Sequence, residues 1–370
     1  MKFGIAGPVS KDHLILPSGK ILTQFGGIAY PALALAELIG GQPDLVVCLS
    51  HVSASDAAKV QELFCHPKIR LITGSQPAEG SEIELLRLDE EERASRQIRV
   101  MTPISPAEME FLADCDFVLL LPLAETDIPR ESAEALRRCS RAMIFLDAHG
   151  LITRVQADGA RQKIIWEDAA AWLDLIDILK MNDREVPWAS GKALDSSHDS
   201  CVKYATRVIR QGLSVAWITC GSRPSVVAWQ RDERIFWADV PVPAVRDVVD
   251  TTGCGDTASG GFMYSYAKLR NPLFAVIRGN TLGSLKASAH ETGEFLNRPE
   301  VRGFFPLYRD YLHTALDDFL AQSHLIIHEA KKEAETVNEG SVHSANGRRD
   351  DHGPDDARRG DREGTAAPWP

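Results

Sequence analysis

The segment Asp250-Thr-Thr-Gly-Cys-Gly-Asp256 joins an apolar, strand-like lead to a run of helical spacing that continues through Phe262. Glycine has no Cβ, so Gly253 and Gly255 allow the backbone to turn sharply at this junction. Successive N–H groups can then point at one spot, at the positive end of the helix that follows. The segment therefore predicts an anion cradle.

Asp256 is the last residue of this segment, where its carboxylate would face both the cradle and any group that approaches it. This position suits a base that accepts a hydroxyl proton during phosphoryl transfer. A structural interpretation stays open, in which Asp256 caps the helix and the glycines serve a tight turn. A dinucleotide fingerprint is a second alternative, because Gly253, Gly255 and Ala258 match G-x-G-x-x-A. The absence of an acidic residue between Asp256 and Glu291 argues against it.

Outside this segment, short apolar runs alternate with stretches of helical spacing. The apolar runs lie at residues 3–6, 45–49, 117–121, 142–146, 214–219 and 225–229. Helical spacing occurs at residues 31–39, 106–113, 128–138, 169–178, 202–211, 272–292 and 307–337. Several apolar runs are nearly continuous, as expected for strands that are covered on both faces. The pattern predicts an α/β fold with a mostly parallel central sheet.

Two segments and the end of the chain differ from this pattern. Residues 14–23 and 82–100 are interpreted as strands of a small accessory sheet, with its strands within about 12–25 and 80–102; two separate surface hairpins are the alternative. From about residue 339 the chain is rich in Gly, Asp, Arg, Ser and Pro, so residues 339–370 are predicted to be a disordered tail. Residues 1–335 are then expected to form a single domain.

The composition excludes several classes of protein. The 370 residues include 41 Lys and Arg against 52 Asp and Glu, and the net charge of −11 argues against nucleic acid as a partner. The longest apolar run is too short to cross a bilayer, and the first residues lack the pattern of a signal peptide. A cytoplasmic protein is expected. The 7 cysteines contain no C-x-x-C pair, so neither a disulfide framework nor a zinc cage is indicated.

The segment at 250–256 resembles the C-terminal signature D-T-T-G-A-G-D of the ribokinase-like (PfkB) sugar and nucleoside kinases, with Cys254 in place of the usual Ala. The resemblance implies a three-layer α/β/α fold with an accessory β-sheet that acts as a lid. It also implies that the backbone of Gly253, Cys254 and Gly255 forms the anion hole for the transferred phosphoryl group, and that Asp256 is the catalytic base.

Two blocks near the N-terminus resemble the substrate side of this family. Gly26 and Gly27 precede an Ala-rich helix that ends in Gly40, although Pro31 replaces the family's frequent Asn. Asp12 matches the acidic residue with which such kinases grip substrate hydroxyls, and a carboxylate can accept two hydroxyl hydrogen bonds. The resemblance implies substrate contacts by Asp12, Gly26 and Gly27. A solvated loop Asp is the alternative for Asp12.

Further blocks resemble the family's phosphate and nucleotide side. Asn182 and Glu185 match its N-x-x-E element, which implies that they organise magnesium and its waters. His149, in a D-x-x-G turn that begins at Asp147, is interpreted as structural rather than catalytic. The residues that the resemblance places beside the nucleotide are Thr219, Gly221, Ser222, Thr252 and Asn280, although Ser225 replaces a Gly common in this loop.

The sequence thus predicts an ATP-dependent, magnesium-requiring kinase that phosphorylates a hydroxyl of a sugar, nucleoside or related polyol. A homodimer through the lid sheet is a further expectation, because an exposed sheet edge can pair across a two-fold axis. Two alternatives stay open. One is a kinase-like binding or regulatory protein without turnover, suggested by Pro31, Cys254 and Ser225. The other is a phosphate-binding enzyme that is not a kinase.

Overall fold

The computed structural model describes residues 1–16, 19–75, 77–87, 93–244, 248–288 and 325–330. The chain divides into a compact unit, Met1–Ala330, and a second unit, Lys331–Pro370, of which no residue is described. The predicted disordered tail at 339–370 therefore lies outside the described residues. Of the predicted helix at 307–337 only residues 325–330 are described, and there the prediction is wrong, because Ile327–Glu329 form a strand that pairs with residues 236–238.

Strands and helices alternate along most of the first unit. In chain order, the strands are β1 (Lys2–Ala6), β2 (Ser10–Ile15), β3 (Ile21–Phe25), β4 (Leu45–Leu49), β5 (Ile69–Ile72), β6 (Ser81–Arg87), β7 (Arg93–Arg99), β8 (Phe117–Leu120), β9 (Met143–Asp147), β10 (Thr153–Val155), β11 (Arg161–Lys163), β12 (Ile178–Asn182), β13 (Val215–Cys220), β14 (Arg223–Arg231), β15 (Arg234–Val240) and β16 (Ile327–Glu329). The α-helices are α1 (Ala29–Ile39), α2 (Ala57–Leu63), α3 (Pro106–Met109), α4 (Arg130–Cys139), α5 (Ala169–Leu173), α6 (Val186–Ala189), α7 (His198–Arg210), α8 (Cys254–Leu269) and α9 (Pro272–Ala287). None of these described helices is long and apolar enough to cross a membrane.

Within the described residues, the main sheet has the strand order β16-β15-β14-β13-β12-β9-β8-β1-β4-β5. The strands from β13 to β5 are parallel, and β14, β15 and β16 extend the sheet in antiparallel fashion. The mostly parallel sheet predicted from the sequence is confirmed.

Helices cover both faces of this sheet. On β8, Val118 and Leu120 pack in the core on the side of α3, α4 and α7. Phe117 and Leu119 belong to the opposite core, which contains α1, α8 and α9. Burial on both faces accounts for the nearly continuous apolar runs in the sequence, since no position of a central strand faces water.

Two predicted helices are shorter than expected. The spacing at 169–178 predicted one helix, but α5 ends at Leu173 and Ile178 begins β12, where it pairs with Phe145 and Val215. At 106–113, α3 ends at Met109 and a 3₁₀ turn follows. In the first case, pairing within the sheet outweighs a local periodicity that suits a helix equally well.

The accessory segments form a single sheet. β2 pairs with β3 on one side and, in parallel, with β6 on the other, which gives the order β3-β2-β6-β7. This pairing between distant parts of the chain confirms the small accessory sheet and rejects two separate hairpins. We call these four strands the lid sheet.

A buried polar cluster holds the two chain segments that connect β6 and β7 to the main sheet. His51 Nδ1 lies 2.6 Å from the Thr102 carbonyl oxygen, after β7, and its Nε2 lies 2.9 Å from Glu108 Oε1. Glu108 also accepts hydrogen bonds from the Ser75 N–H, before β6, and from the Ser105 N–H and hydroxyl. Burial alone would raise the pKa of Glu108, but hydrogen bonds from Ser105, His51 and Ser75 outweigh it and lower the pKa to about 2.

We expect Glu108→Gln to destabilise the fold by about 1.5–3 kcal/mol at pH 7, because hydrogen bonds to a charged group are lost. A carboxylate with a lowered pKa stabilises the folded state fully above its ordinary pKa of about 4.5, and this contribution is lost as the pH falls towards 2. Denaturant unfolding at pH 7 and pH 3 should therefore show a difference between variant and native protein that shrinks in acid. The exposed Glu110→Gln is the matched control. A difference that does not depend on pH would contradict the assignment.

Candidate active site

The carboxyl ends of β9, β12 and β13 and the start of α8 meet at one edge of the main sheet. Gly253 precedes α8 with a φ of +74°, a conformation that favours glycine, and a Cβ there would lie 2.4 Å from ring carbons of Tyr30. The Cys254 N–H donates to the Thr251 carbonyl, so this amide of the predicted cradle closes the turn. The N–H groups of Gly255 and Asp256 have no acceptor among the described residues, and they lie at the positive end of α8.

A buried ion pair lies below the first turn of α8. Lys180 on β12 is paired in register with Asp147 on β9, and its Nζ donates to Asp147 Oδ2 at 2.5 Å. The same oxygen accepts a hydrogen bond from Ser259 on α8 at 3.4 Å. A Cβ at Gly255 would lie 3.4 Å from Lys180 Nζ, so the ammonium group is adjacent to the cradle. The Lys180 ammonium group, paired with the Asp147 carboxylate, therefore lies beside the predicted anion hole.

The environment of Asp256 changes its acidity. Its side chain is half-buried in the first turn of α8. Burial raises the pKa of Asp256 to about 7, and the negative charges of Asp147 and Glu185 add to this rise, while Lys180 opposes it. A carboxylate with a pKa near neutrality can both accept and release a proton at physiological pH, as a general base requires.

The predicted substrate residues lie together around β2. Asp12 is buried, and a Cβ at Gly26 would lie 2.5 Å from Asp12 Oδ2. Gly27 has a φ of +60°, and a Cβ there would meet the Pro8 carbonyl oxygen at 2.1 Å. Burial raises the pKa of Asp12 to about 7; the charge of Asp256 contributes to the rise, whereas a hydrogen bond from Ser10 opposes it. Tyr30 lies between this group and the cradle, because a Cβ at Gly26 would lie 2.8 Å from its ring and a Cβ at Gly253 would lie 2.4 Å from it.

Asn182 and Glu185 form a second polar group at the end of β12. Glu185 is fully buried; its Oε2 accepts the Asn182 N–H at 2.9 Å, and its Oε1 lies 2.9 Å from His149 Nδ1 and 3.5 Å from Lys163 Nζ. Burial by itself would raise the pKa of Glu185, but His149 and Lys163 lower it to about 2. Burial lowers the pKa of His149, and the charge of Lys163 adds to this effect. Glu185 is therefore an ionised carboxylate with both oxygens in use.

The donor atoms at the end of β12 are of the kind that magnesium binds. The Asn182 Oδ1 is buried and has no hydrogen-bond partner among the described residues, and an amide oxygen is a ligand that magnesium accepts. No cluster of three or more His, Cys, Asp or Glu side chains in the described part of the chain could hold a metal. Magnesium usually keeps several waters and needs few protein ligands, so Asn182 with Glu185 fits this ion.

The residues predicted beside the nucleotide divide into three groups. Thr219, Gly221 and Ser222 lie at the end of β13, where Thr219 is paired in register with Asn182. Thr252 lies in the cradle segment, where its N–H and hydroxyl both donate to Asp250 Oδ1. The structure thus brings the end of β13 beside the N-x-x-E element and places Thr252 in the turn before α8.

Asn280 on α9 is buried, and its described hydrogen bonds are to none of these residues. Its amide nitrogen donates to the carbonyls of Val240 and Pro241, and its Oδ1 accepts from the Ser225 hydroxyl. These bonds occupy the amide in attaching α9 to the end of β15 and to β14. Both amide hydrogens are in use, so only Oδ1, which can accept a second hydrogen bond, is able to contact a nucleotide without a change in these bonds, and the predicted contact stays a prediction.

Several charged residues in or beside the site were not predicted from the sequence. Lys286 on α9 is buried, with its Nζ 3.4 Å from the Asp250 carbonyl oxygen and 3.7 Å from Asp250 Oδ2, so it supports the cradle segment. Lys180 and Arg161 were also missed. Lys180 had a usable signal, because a charged residue inside an apolar strand is rarely buried without a partner. Arg161 had none, since it comes from a short hairpin with no motif.

Several solved structures share this fold. The chain is similar to a pyrophosphate-dependent kinase in the ribokinase family, complexed with a pyrophosphate analog and myo-inositol, with 20% identity, a TM-score of 0.63 and coverage of 78% of this chain and 96% of that one. It is similar to Arabidopsis thaliana ribokinase complexed with ribose and ATP, with 17% identity, a TM-score of 0.58 and coverage of 79% and 94%. For aminoimidazole riboside kinase from Salmonella enterica the identity is 18%, the TM-score 0.57 and the coverage 82% and 99%. The predicted ribokinase-like fold is confirmed.

The sequence itself matches a family profile described as pfkB family carbohydrate kinase, over residues 100–298. The chain belongs to this family of carbohydrate kinases. The match includes the segment at 250–256 and the N-x-x-E element, and it confirms the resemblance seen in the sequence. A comparison with curated proteins finds no match.

We expect Asp256→Asn to stabilise the folded protein at pH 8 but not at pH 4. Because the pKa of Asp256 is raised to about 7, ionisation of this group costs folding free energy, and the cost grows from about pH 4 to pH 7. Asparagine removes that cost. Thermal unfolding at the two pH values measures the effect, with the exposed Asp199→Asn as the control. An unchanged or lower melting temperature at pH 8 would show that Asp256 is not held in an unfavourable environment.

Proposed function

We propose that this protein is a kinase that transfers the γ-phosphoryl group of ATP to a hydroxyl of a sugar, nucleoside or related polyol, and that residues 1–335 act as one kinase domain. The observation that carries the proposal is the arrangement at the start of α8. Asp256, with a pKa near 7, lies beside two amides without acceptors among the described residues and beside the buried ammonium group of Lys180. A base and an anion site are thereby adjacent, as transfer to an alcohol requires.

In this mechanism the acceptor lies between Asp12, Gly26, Gly27 and the lid sheet. Asp12 accepts hydrogen bonds from hydroxyls next to the reacting one, which orients the substrate. Asp256 takes the proton of the reacting hydroxyl as its oxygen forms a bond to the γ-phosphorus, and the bond to the β-phosphate oxygen breaks to release ADP. Of the predicted anion hole at Gly253, Cys254 and Gly255, the Cys254 N–H already donates to Thr251, so the amides of Gly255 and Asp256, together with Lys180, stabilise the charge on the transferring group.

The remaining predicted residues serve the donor. Thr219, Gly221, Ser222 and Thr252 are proposed to contact ATP, and Asn280 to act near it. Asn182 and Glu185 would hold magnesium, which neutralises phosphate charge when bound. Glu185 acts through a water or by orienting Asn182, because both of its oxygens already accept from His149 and the Asn182 N–H.

We also propose a cytoplasmic location and a homodimer through the lid sheet. β3 is an edge strand of that sheet among the described residues, and its Ile21 is 59% exposed. An exposed apolar side chain on a sheet edge favours pairing with a second copy.

The principal test uses purified protein, a panel of sugars, nucleosides and cyclic polyols, and magnesium with either ATP or pyrophosphate as donor. Pyrophosphate is included because a similar structure is a pyrophosphate-dependent kinase. Acceptor-dependent ADP release supports the proposal. Thermal stabilisation by an acceptor without any ADP release would favour a kinase-like binding protein instead. If phosphate is released with pyrophosphate as the donor and no ADP is released with ATP, the donor is pyrophosphate instead of ATP.

We expect Asp256→Asn to lower acceptor-dependent turnover by about 10²–10⁴-fold, because general-base assistance is lost. ATP should still raise the melting temperature of the variant, since the amides and Lys180 remain. Asp199→Asn, on the surface of α7, should behave as the native protein. Retained turnover in Asp256→Asn would remove Asp256 from the role of base.

We also expect kcat/KM to rise with pH and level off above about pH 7, because the base must be ionised. Asp12 has a similar pKa, so the native profile reports both groups. Two substitutions separate them: Asp147→Asn removes a neighbouring negative charge and should move the profile to lower pH, whereas Lys180→Met should move it to higher pH. Shifts in the same direction, or none, would contradict the assignment of Asp256.

A further inference from the structure

The hairpin of β10 and β11 contacts the outer strand of the lid sheet through its backbone. The Gln97 N–H on β7 donates to the Gly159 carbonyl at 2.8 Å, and Arg96 forms an antiparallel bridge with Ala160. Gly159 has a φ of +86°, and a Cβ there would lie 2.4 Å from the Gln97 carbonyl oxygen. Glycine therefore permits a close approach between the tip of the hairpin and the lid sheet.

The same hairpin carries Arg161, whose guanidinium group joins three parts of the fold. Its Nη1 donates to the Gln97 side-chain oxygen, and its Nη2 donates to the Leu123 carbonyl at 2.7 Å, after β8. Nη2 also lies 3.5 Å from His149 Nε2, after β9. None of the ion pairs among the described residues includes Arg161. Its bonds are to neutral groups, and their geometry depends on the planar fork of arginine.

His149 continues this connection to Glu185. Because arginine only donates hydrogen bonds, His149 Nε2 accepts from Arg161 and the ring N–H lies on Nδ1, which faces Glu185 Oε1 at 2.9 Å. The described contacts thus run from Gln97 through Arg161 and His149 to Glu185. Lys163 also contacts Glu185, at 3.5 Å, but its other hydrogen bond is to Thr153 and not to the lid sheet.

We propose that Arg161 and His149 are positioning residues that couple the lid sheet to the orientation of Glu185. The inference rests on the proposed function, in which the acceptor lies under the lid sheet and Glu185 serves the phosphate side. When the lid sheet lies against the hairpin, Arg161 fixes the ring of His149, and His149 fixes Glu185. When the lid sheet moves away from the hairpin, the hydrogen bond between Gln97 and Arg161 is lost, and the Glu185 carboxylate is held less firmly. Phosphoryl transfer is thereby favoured when the site is covered, which limits transfer to water.

The test is a double-substitution cycle with Gln97→Met and His149→Leu, two residues whose side chains share only Arg161 as a described partner. Each single variant should lower kcat by about 10-fold, the usual size of such an effect at a metal site, with little change in the KM of the acceptor. The double variant should be no worse than the poorer single variant, because one connection is broken twice. Additive losses, or a change in acceptor KM alone, would overturn the proposal.

Arg161→Met should match these single variants. Arg161→Lys keeps the charge but cannot span three acceptors, so we expect it to remain impaired; full activity with lysine would show that charge alone matters and would overturn the proposal. Arg154→Met is the matched control, because Arg154 on β10 is exposed and bonds only to Glu125 among the described residues.

A second readout does not require turnover. Magnesium with ADP should raise the melting temperature of the native protein more than that of Gln97→Met, His149→Leu or the double variant, and the two variant effects should again fail to add. If no acceptor and no donor yields product, the proposed function fails while this cycle still tests the coupling. Equal stabilisation of all variants by magnesium with ADP would overturn the coupling even if the kinase activity is present.

Discussion

The buried ion pair between Lys180 and Asp147 is the constraint on which the site depends. Burying two charges is costly, and it is tolerated at this position because the two residues are register partners on neighbouring strands and the carboxylate also accepts from Ser259. The pair fixes an ammonium group under the first turn of α8, next to Gly255. The pairing of the strands thus sets the position of the Lys180 ammonium group. Its charge, the dipole of α8 and the amides of the first turn of α8 can then act together.

Around this pair the carboxylates separate into two classes. Asp12 and Asp256 form no ion pair with a cation among the described residues, and burial raises their pKa values to about 7. Glu185 is buried as well, but His149, Lys163 and the Asn182 N–H lower its pKa to about 2. Neighbouring carboxyl groups whose environments give them different pKa values can take different roles. The first class suits proton transfer and hydroxyl binding, and the second suits permanent negative charge.

Three departures from the family's pattern have local structural consequences. Pro31 lies in the first turn of α1, where proline fits because that N–H needs no helical acceptor, and its carbonyl packs close to Gly260 on α8. The Cys254 thiol lies 3.9 Å from the Asp250 carbonyl oxygen, within the turn of the cradle. Ser225 donates to Asn280 and ties β14 to α9. Beside these replacements, Gly253 has a φ of +74°, which turns the chain before α8.

The parts of the protein that depend on local chemistry could be predicted from the sequence. Continuous apolar runs predicted the parallel sheet, because strands covered on both faces need no polar positions, and the glycines beside Asp256 predicted the turn before α8. Tertiary structure alone decided which distant residues meet. The pairing of β2 with β6, the placement of Lys180 against Asp147 and the reach of Arg161 to Gln97 and His149 all join residues far apart in the chain. No local pattern encodes these contacts, because they arise from strand order and packing. Packing also sets how far Asp256 is buried, and this burial raises its pKa.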